Sequence, residues 1–142
     1  MNRTHRIVLN VPPVALARPR FSKINSEVFD SQSILKKKIG WLLAKEAKKS
    51  KIIMMDGLIS LSLFFFIKIP QSASKKKQAR MEGKPCGKKP DLDNYVKFIL
   101  DIMNGIVYED DRQVFKLYCE KIWSSNPRID IEIEEVHEDD GN

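Results

Sequence analysis

Between Ile59 and Ile69 every second side chain is apolar: Ile59, Leu61, Leu63, Phe65, Ile67 and Ile69. A period of two puts all of them on one face of a β-strand. The intervening positions are mixed, with Phe64 and Phe66 beside Ser60, Ser62 and Lys68. A strand that is apolar on one face and half apolar on the other belongs inside a sheet, packed on one side and partly covered on the other. Pro70 ends it, because proline has no N–H to give to a ladder. The run from Leu58 to Ile69 is too short and too polar to cross a bilayer. The consecutive phenylalanines at 64–66 suit a core better than a platform for stacked bases.

The other segments supply layers around that strand. Ile7, Leu9 and Val11 alternate and predict an opening strand, stopped by Pro12 and Pro13. The stretch Ala17 to Phe21 reads as irregular, extended and basic. Leu35, Ile39, Leu42 and Leu43 predict the buried stripe of a helix capped by Asp30 or Ser31 and running to about Lys49. Its other faces carry Lys36, Lys37, Lys38, Lys45, Lys48 and Lys49, a solvated surface. Trp41 lies off the stripe and marks either a subunit contact or the helix edge. Ser74 predicts the cap of a short helix ending at Gly83, and Gly83, Pro85 and Gly87 predict a mobile loop after it. Leu92, Val96, Ile99 and Met103 make the core face of a further helix, stopped by Asn104 and Gly105. Ile106 to Tyr108 reads as a short extended piece, and Glu109 to Asp111 as a turn. Phe115, Leu117 and Cys119 alternate in a strand running to about Trp123. A turn follows at Ser124-Ser125-Asn126-Pro127, then a strand on Ile129, Ile131 and Ile133. These two strands are expected to pair as an antiparallel hairpin. The order implies an α/β (α+β) chain with a mixed sheet of about four strands packed with two main helices. With 142 residues, one domain is expected over 1–136, with 70–90 as a mobile basic segment and 137–142 as an acidic tail.

Charge is divided unevenly. From Asp130 onward there are seven acidic residues and no Lys or Arg, which leaves 25 basic against 12 acidic side chains, or +13, in the first 129 residues. Such a body attracts a polyanion, nucleic acid or an anionic membrane surface, although lysines serving only solubility would look the same. Residues 71–89 hold Lys75, Lys76, Lys77, Arg80, Lys84, Lys88 and Lys89 against Glu82 alone. Arg18 and Arg20 flank Pro19 in a second basic stretch suited to phosphate oxygens. The two cysteines, Cys86 and Cys119, and two histidines have no zinc-ligand spacing and read as reduced thiols of a cytoplasmic protein. No leader or membrane segment is read at the start of the chain.

The acidic residues concentrate where the basic segment ends. Asp91 and Asp93 follow Pro90, two residues apart. Side chains at i and i+2 do not share a helix face, so the pair can converge only with Asp91 outside the helix and Asp93 at the cap or in its first turn. Proline favours that arrangement. Asp93, Lys97 and Asp101 then lie on one face. Isolated, an Asp-x-Asp is more often a helix cap, and Lys97 more often an i,i+4 partner of Asp93 or Asp101. Here Asp110 and Asp111 add further carboxylates from the next turn. Hard oxygen ligands beside a lysine suit Mg²⁺, with Mn²⁺ as a substitute.

The block 88–114, Lys-Lys-Pro-Asp-Leu-Asp-Asn-Tyr-Val-Lys-Phe-Ile-Leu-Asp-Ile-Met-Asn-Gly-Ile-Val-Tyr-Glu-Asp-Asp-Arg-Gln-Val, closely resembles the signature of the RusA family of Holliday junction resolvases. Arg18-Pro19-Arg20-Phe21 and Ser74 to Lys77 also look like family features. The resemblance implies a small homodimeric, Mg²⁺-dependent endonuclease of bacterial or phage origin that nicks four-way DNA junctions symmetrically in recombination and repair. It implies Asp91, Asp93 and Asp111 as catalytic metal-binding aspartates, with Asp110 beside them, and Lys97 as the active-site lysine. Gln113 takes the position after the acidic pair, as a DNA contact or a support. Arg18, Arg20, Lys75, Lys76, Lys77, Arg80, Lys84, Lys88 and Lys89 are the expected DNA contacts. Tyr95 stands where an aliphatic residue is more usual, and the C-terminal tail is unusually acidic.

Three other readings compete. A DNA-binding module without catalysis would use the carboxylates structurally. A metal nuclease could act on forks or flaps. A membrane-surface or partner-binding protein would use the lysine runs but leaves the Asp-x-Asp cluster unexplained.

Overall fold

The computed structural model describes residues 3–17, 20–21, 28–29 and 31–137, with the backbone alone for 20–21 and 28–29. The elements, in order, are β1 (Arg3–Leu9), β2 (Arg20–Phe21), β3 (Val28–Phe29), α1 (Ser33–Lys49), β4 (Leu58–Lys68), α2 (Lys75–Met81), α3 (Leu92–Met103), β5 (Val114–Ser124) and β6 (Arg128–Val136). Four strands form one mixed sheet in the order β1-β6-β4-β5, and β2 pairs with β3 in a separate two-residue ladder. No helix among the described residues is long and apolar enough to cross a membrane.

β4 lies inside the sheet, as its alternation requires. Ile59, Leu61, Leu63 and Phe65 are buried, while Ser60, Ser62, Phe64 and Phe66 on the other face are half-buried. α1 and α3 pack on each other and on the buried face. α3 is the more deeply set, burying Tyr95, Val96, Phe98, Ile99, Ile102 and Met103. Tyr95 stacks on Phe65 with ring centroids 5.5 Å apart, so the unusual aromatic fastens α3 to the central strand. Ser74 caps α2 by accepting a hydrogen bond from the Lys77 N–H at 3.2 Å. The helix ends before Gly83, whose φ of 79° few other residues tolerate.

The expected β5–β6 hairpin does not form. β4 lies between the two strands, parallel to β5 and antiparallel to β6. The turn at Ser124–Pro127 reverses the chain but carries β6 past the end of β4 to a slot between β4 and β1. Turn residues encode a reversal, whereas the neighbour is chosen by burial. Ile129, Ile131 and Ile133 are almost completely buried, which needs a strand on each side. Parallel pairing of β4 and β5 is made possible by the long crossover through α2 and α3.

Three smaller expectations also change. α1 starts at Ser33 with Gln32 at its N-cap and no side-chain capping bond; Ser31 lies in the preceding turn, and Asp30 is outside the described residues. The Gln32 amide instead accepts from Ala17 N–H at 2.8 Å and donates to the Ala15 carbonyl at 2.9 Å, tying the 11–17 segment to the helix. Ile39, Leu43 and Ala47 form the buried stripe of α1, with Leu35 exposed and Leu42 half-buried. Ile106 to Tyr108 is a turn closed by the Gly105 N–H on the Tyr108 carbonyl at 2.8 Å, not an extended piece.

Candidate active site

Asp91 stands at the N-cap of α3 with extended backbone, and Asp93 lies in the first turn. Pro90 and the fixed start of the helix place them so. Asp91 makes no capping hydrogen bond, so its carboxylate is not engaged in holding the helix. Lys97 lies one turn further in, with Nζ 4.0 Å from Asp93 Oδ2 and both side chains largely exposed. At that distance and exposure the pair adds little to stability.

The approach to Asp91 is fixed from the sheet. Lys121 on β5 donates from Nζ to the carbonyls of Lys88 at 2.6 Å and Pro90 at 2.8 Å. The segment before it runs along the edge of β5, with Gly83 and Cys86 N–H groups bonded to the Trp123 and Lys121 carbonyls. Leu16 N–H reaches the Asn94 carbonyl at 2.9 Å, bringing the N-terminal arm to the same helix mouth. Lys121 was not legible as a site residue, since its partners lie 33 and 31 positions away.

The second acidic pair sits at the other end of α3. Asp110 caps the one-turn 3₁₀ helix Asp111–Gln113. Its Oδ1 accepts from Arg112 N–H at 2.9 Å, and the Gln113 Oε1 accepts from the N–H groups of Glu109 and Asp110 at 3.0 Å each. The Gln113 Nε2 donates to the carbonyls of Met55 and Gly57 at 2.9 Å each. The amide of Gln113 is thus fully engaged in holding the turn. The Arg112 hydrogen bond holds the Asp110 carboxyl below the ordinary carboxylate range. Desolvation, followed by the Asp110 carboxyl and the Asp101 charge, pushes Asp111 above it, partly offset by a hydrogen bond from Asn104. Asp101 reaches Lys36 on α1 at 3.8 Å rather than pairing with Lys97 as expected. The Tyr108 hydroxyl, fully buried and without a hydrogen-bond partner, feels Asp111, Asp101 and Asp110, and burial foremost drives its pKa far up.

Convergence of the two acidic pairs is expected from the sequence. The fold sets them towards opposite ends of one helix face. Asp93 and Asp101 are separated by two turns, about 12 Å of helix, with Lys97 between them and Asp111 beside Asp101. Among the described residues the trio with ligand atoms within 4.8 Å of one another is a different one, Asp56, Glu135 and His137. Its buried Glu135 accepts from the N–H groups of Asp56 and Gly57 at 3.1 and 3.0 Å, and His137 Nε2 lies 3.5 Å from its other oxygen. Those bonds fasten the turn before β4 and account for the grouping.

Positive charge fills the segment that leads into the helix. Lys75, Lys76, Lys77, Arg80, Lys84, Lys88 and Lys89 are all exposed. Beside Asp101 a groove of about 450 Å³ is lined by Lys36, Lys37, Gly40, Trp41, Ile102 and Ile106. Arg18 and the side chain of Arg20 lie outside the described residues. The chemistry on offer is carboxylate oxygen at both ends of the helix face, a lysine amine between them, and a basic segment leading in.

The family Endodeoxyribonuclease RusA matches residues 10–134, nearly the whole chain. The uncharacterized protein YqaN of Bacillus subtilis (strain 168) is 36% identical over 132 residues, covering 87% of this chain and 91% of YqaN.

Proposed function

The chain belongs to the RusA endodeoxyribonuclease family, and on that premise we propose that it is a Mg²⁺-dependent, structure-selective nuclease that resolves Holliday junctions by paired symmetric nicks. It would act as a homodimer in the cytoplasm, on DNA of a bacterium or phage. The observation that carries the reading is the carboxylate of Asp91, held at the mouth of α3 with no capping bond, beside Asp93 and one turn from Lys97.

Asp91 and Asp93 would hold a divalent ion at the mouth of α3, and Asp111, beside Asp101 at the other end of that helix face, would hold a second ion or reach the first through its water shell. Their donor set fits, because Mg²⁺ takes hard oxygen ligands and keeps part of its water shell, and these carboxylates are exposed. When bound, the ion would supply polarisation of a phosphate oxygen and a water acidic enough to attack at neutral pH. Asp110 is engaged with Arg112 N–H, which favours Asp111 as the direct ligand of that pair. Lys97 faces the phosphate from the middle of the acidic face and stabilises the negative charge that builds on it in the transition state. Lys121 keeps the carbonyls of Lys88 and Pro90 in place, and so the entry angle of Asp91. The exposed cations from Lys75 to Lys89, with Arg18 and Arg20, grip the backbone without reading sequence, so affinity falls steeply with salt. Gln113 supports the catalytic turn.

The test is nicking of a synthetic four-way junction across a Mg²⁺ titration. Paired nicks that appear with the metal, and vanish in Asp93→Asn while junction binding in EDTA persists, are the expected result. An intact junction at every Mg²⁺ and Mn²⁺ concentration, with tight binding, would leave a DNA-binding module instead. Preferential cutting of forks or flaps would move the substrate to other branched DNA.

A further inference from the structure

The sheet has two borders, β1 and β5, and among the described residues the β5 border carries the exposed large apolar side chains. On β5 the segment Gly83–Cys86 bonds only to Lys121 and Trp123. Since those two residues face outward, so do the N–H and C=O groups of Leu117 and Cys119. None of these has a partner beyond β5 among the described residues. Along the same border Phe115 is 55% exposed, Leu117 42% and Tyr118 52%. An edge strand with free backbone groups and apolar side chains is a template for another strand, and proteins that stay monomeric usually blunt it.

We propose that this border is the contact with a second copy of the chain, β5 lying antiparallel to β5 about a two-fold axis at Tyr118. Charge selects that register. Centred on Tyr118, Lys116 faces Glu120 of the second copy, and the symmetric pair forms on the other side of the axis. Lys116 has no ion-pair partner among the described residues. Glu120 shares one carboxylate oxygen with its own Tyr118 hydroxyl, leaving the other available. Leu117 then faces Cys119, and the outward N–H and C=O groups of both form the ladder. Shifted to centre on Leu117, the ladder sets Lys116 against Tyr118 and leaves both charges unmatched. Shifted to Cys119, it runs into the part of β5 that Gly83–Cys86 already covers. Opposite charges directly across an antiparallel pair stabilise it, and like charges do the reverse.

The interface deepens the paired-nick reading by naming the surface that joins the two sites. An axis normal to the sheet extends four strands from each copy into one continuous sheet. It also keeps both α3 helices on the same side, so both acidic faces meet one branched substrate.

The experiment uses the full chain. In a Cys119→Ser background, Tyr118→Cys is oxidised mildly and compared with Lys116→Cys. Residues on the axis form a non-hydrogen-bonded pair with Cα atoms about 4.5 Å apart, which a disulfide spans. Copies of residue 116 are four positions out of register and do not reach. A covalent dimer from Tyr118→Cys alone is expected. In parallel, Lys116→Glu and Glu120→Lys should each weaken the dimer about tenfold by light scattering, and the double variant should restore it. A dimer in solution without the Tyr118→Cys link, or a double variant no better than the singles, overturns this interface and leaves the nuclease reading standing. A monomer at all concentrations also overturns it. A linked dimer that never cuts a junction keeps the interface and sinks the nuclease reading.

Discussion

Asp91 and Asp110 both occupy the N-cap of a helical segment, and both have extended backbone there. Asp110 uses its carboxylate as a cap does, accepting from Arg112 N–H while Gln113 closes the turn from the other side. Asp91 makes no such bond, although it caps a helix four times as long. The position is the same and the use differs. A carboxylate at a cap that leaves the cap unbonded has its oxygens free for something else, and here Asp93 and Lys97 stand next to it. On the proposed reading, the contrast sets a bonded cap against a carboxylate left for metal more sharply than exposure does, since both are exposed.

The largest effect should come from the unbonded side. Asp91→Ala should cut junction nicking by at least about 100-fold, on the scale of removing a group that stabilises transition-state charge. Its melting temperature should stay within about 2 °C of the parent, because no capping bond is lost. A fall of several degrees with activity dropping only in proportion would put Asp91 back with Asp110. Next, Asp110→Ala removes a cap that is made. A drop of about 3 °C in melting temperature is expected, read by calorimetry in EDTA so that metal binding does not contribute.

Asp111 has the opposite sign. A carboxyl with a raised pKa holds its proton more tightly in the native state than in the unfolded one, so metal-free stability falls as pH rises from the ordinary carboxylate range through the raised value. Asp110, held low, contributes stability above that range and loses it as pH falls. Asp111→Asn should therefore raise the metal-free melting temperature at neutral pH by about 1–2 °C and lose that advantage at acid pH, while nicking is abolished. A variant that loses both stability and nicking would make Asp111 structural. The smallest effect belongs to Tyr108→Phe. Removing a buried hydroxyl that has no partner should change the melting temperature by less than about 2 °C, in the upward direction if at all. A clear destabilisation would mean that the hydroxyl is bonded to the acidic turn in solution.

Local chemistry was readable from the chain, and distant pairing was not. The alternation of β4, the buried face of α3, the Ser74 cap and the stops at Gly83 and Gly105 all stand within a few residues of the signals that announce them. The same holds for Asp91 outside the helix and Asp93 within it. The split of β5 from β6 depends on β4, about sixty positions away, and no turn residue carries that information. Gln32 holding Ala15 and Ala17, Lys121 holding Lys88 and Pro90, and Lys36 taking Asp101 are likewise contacts across the fold. At the site, the identities of the acidic residues were legible from their spacing. Their division between two ends of one helix face depends on how the Asp110 turn packs.

The slot occupied by β6 has a consequence for synthesis. β1 and β4 have no common neighbour until Arg128–Val136 emerges from the ribosome and zips between them. A nascent chain stalled before that point would show two bare strand borders to the cell. The four-stranded sheet, and the helices packed on it, are thereby kept from assembling until β6 has been made.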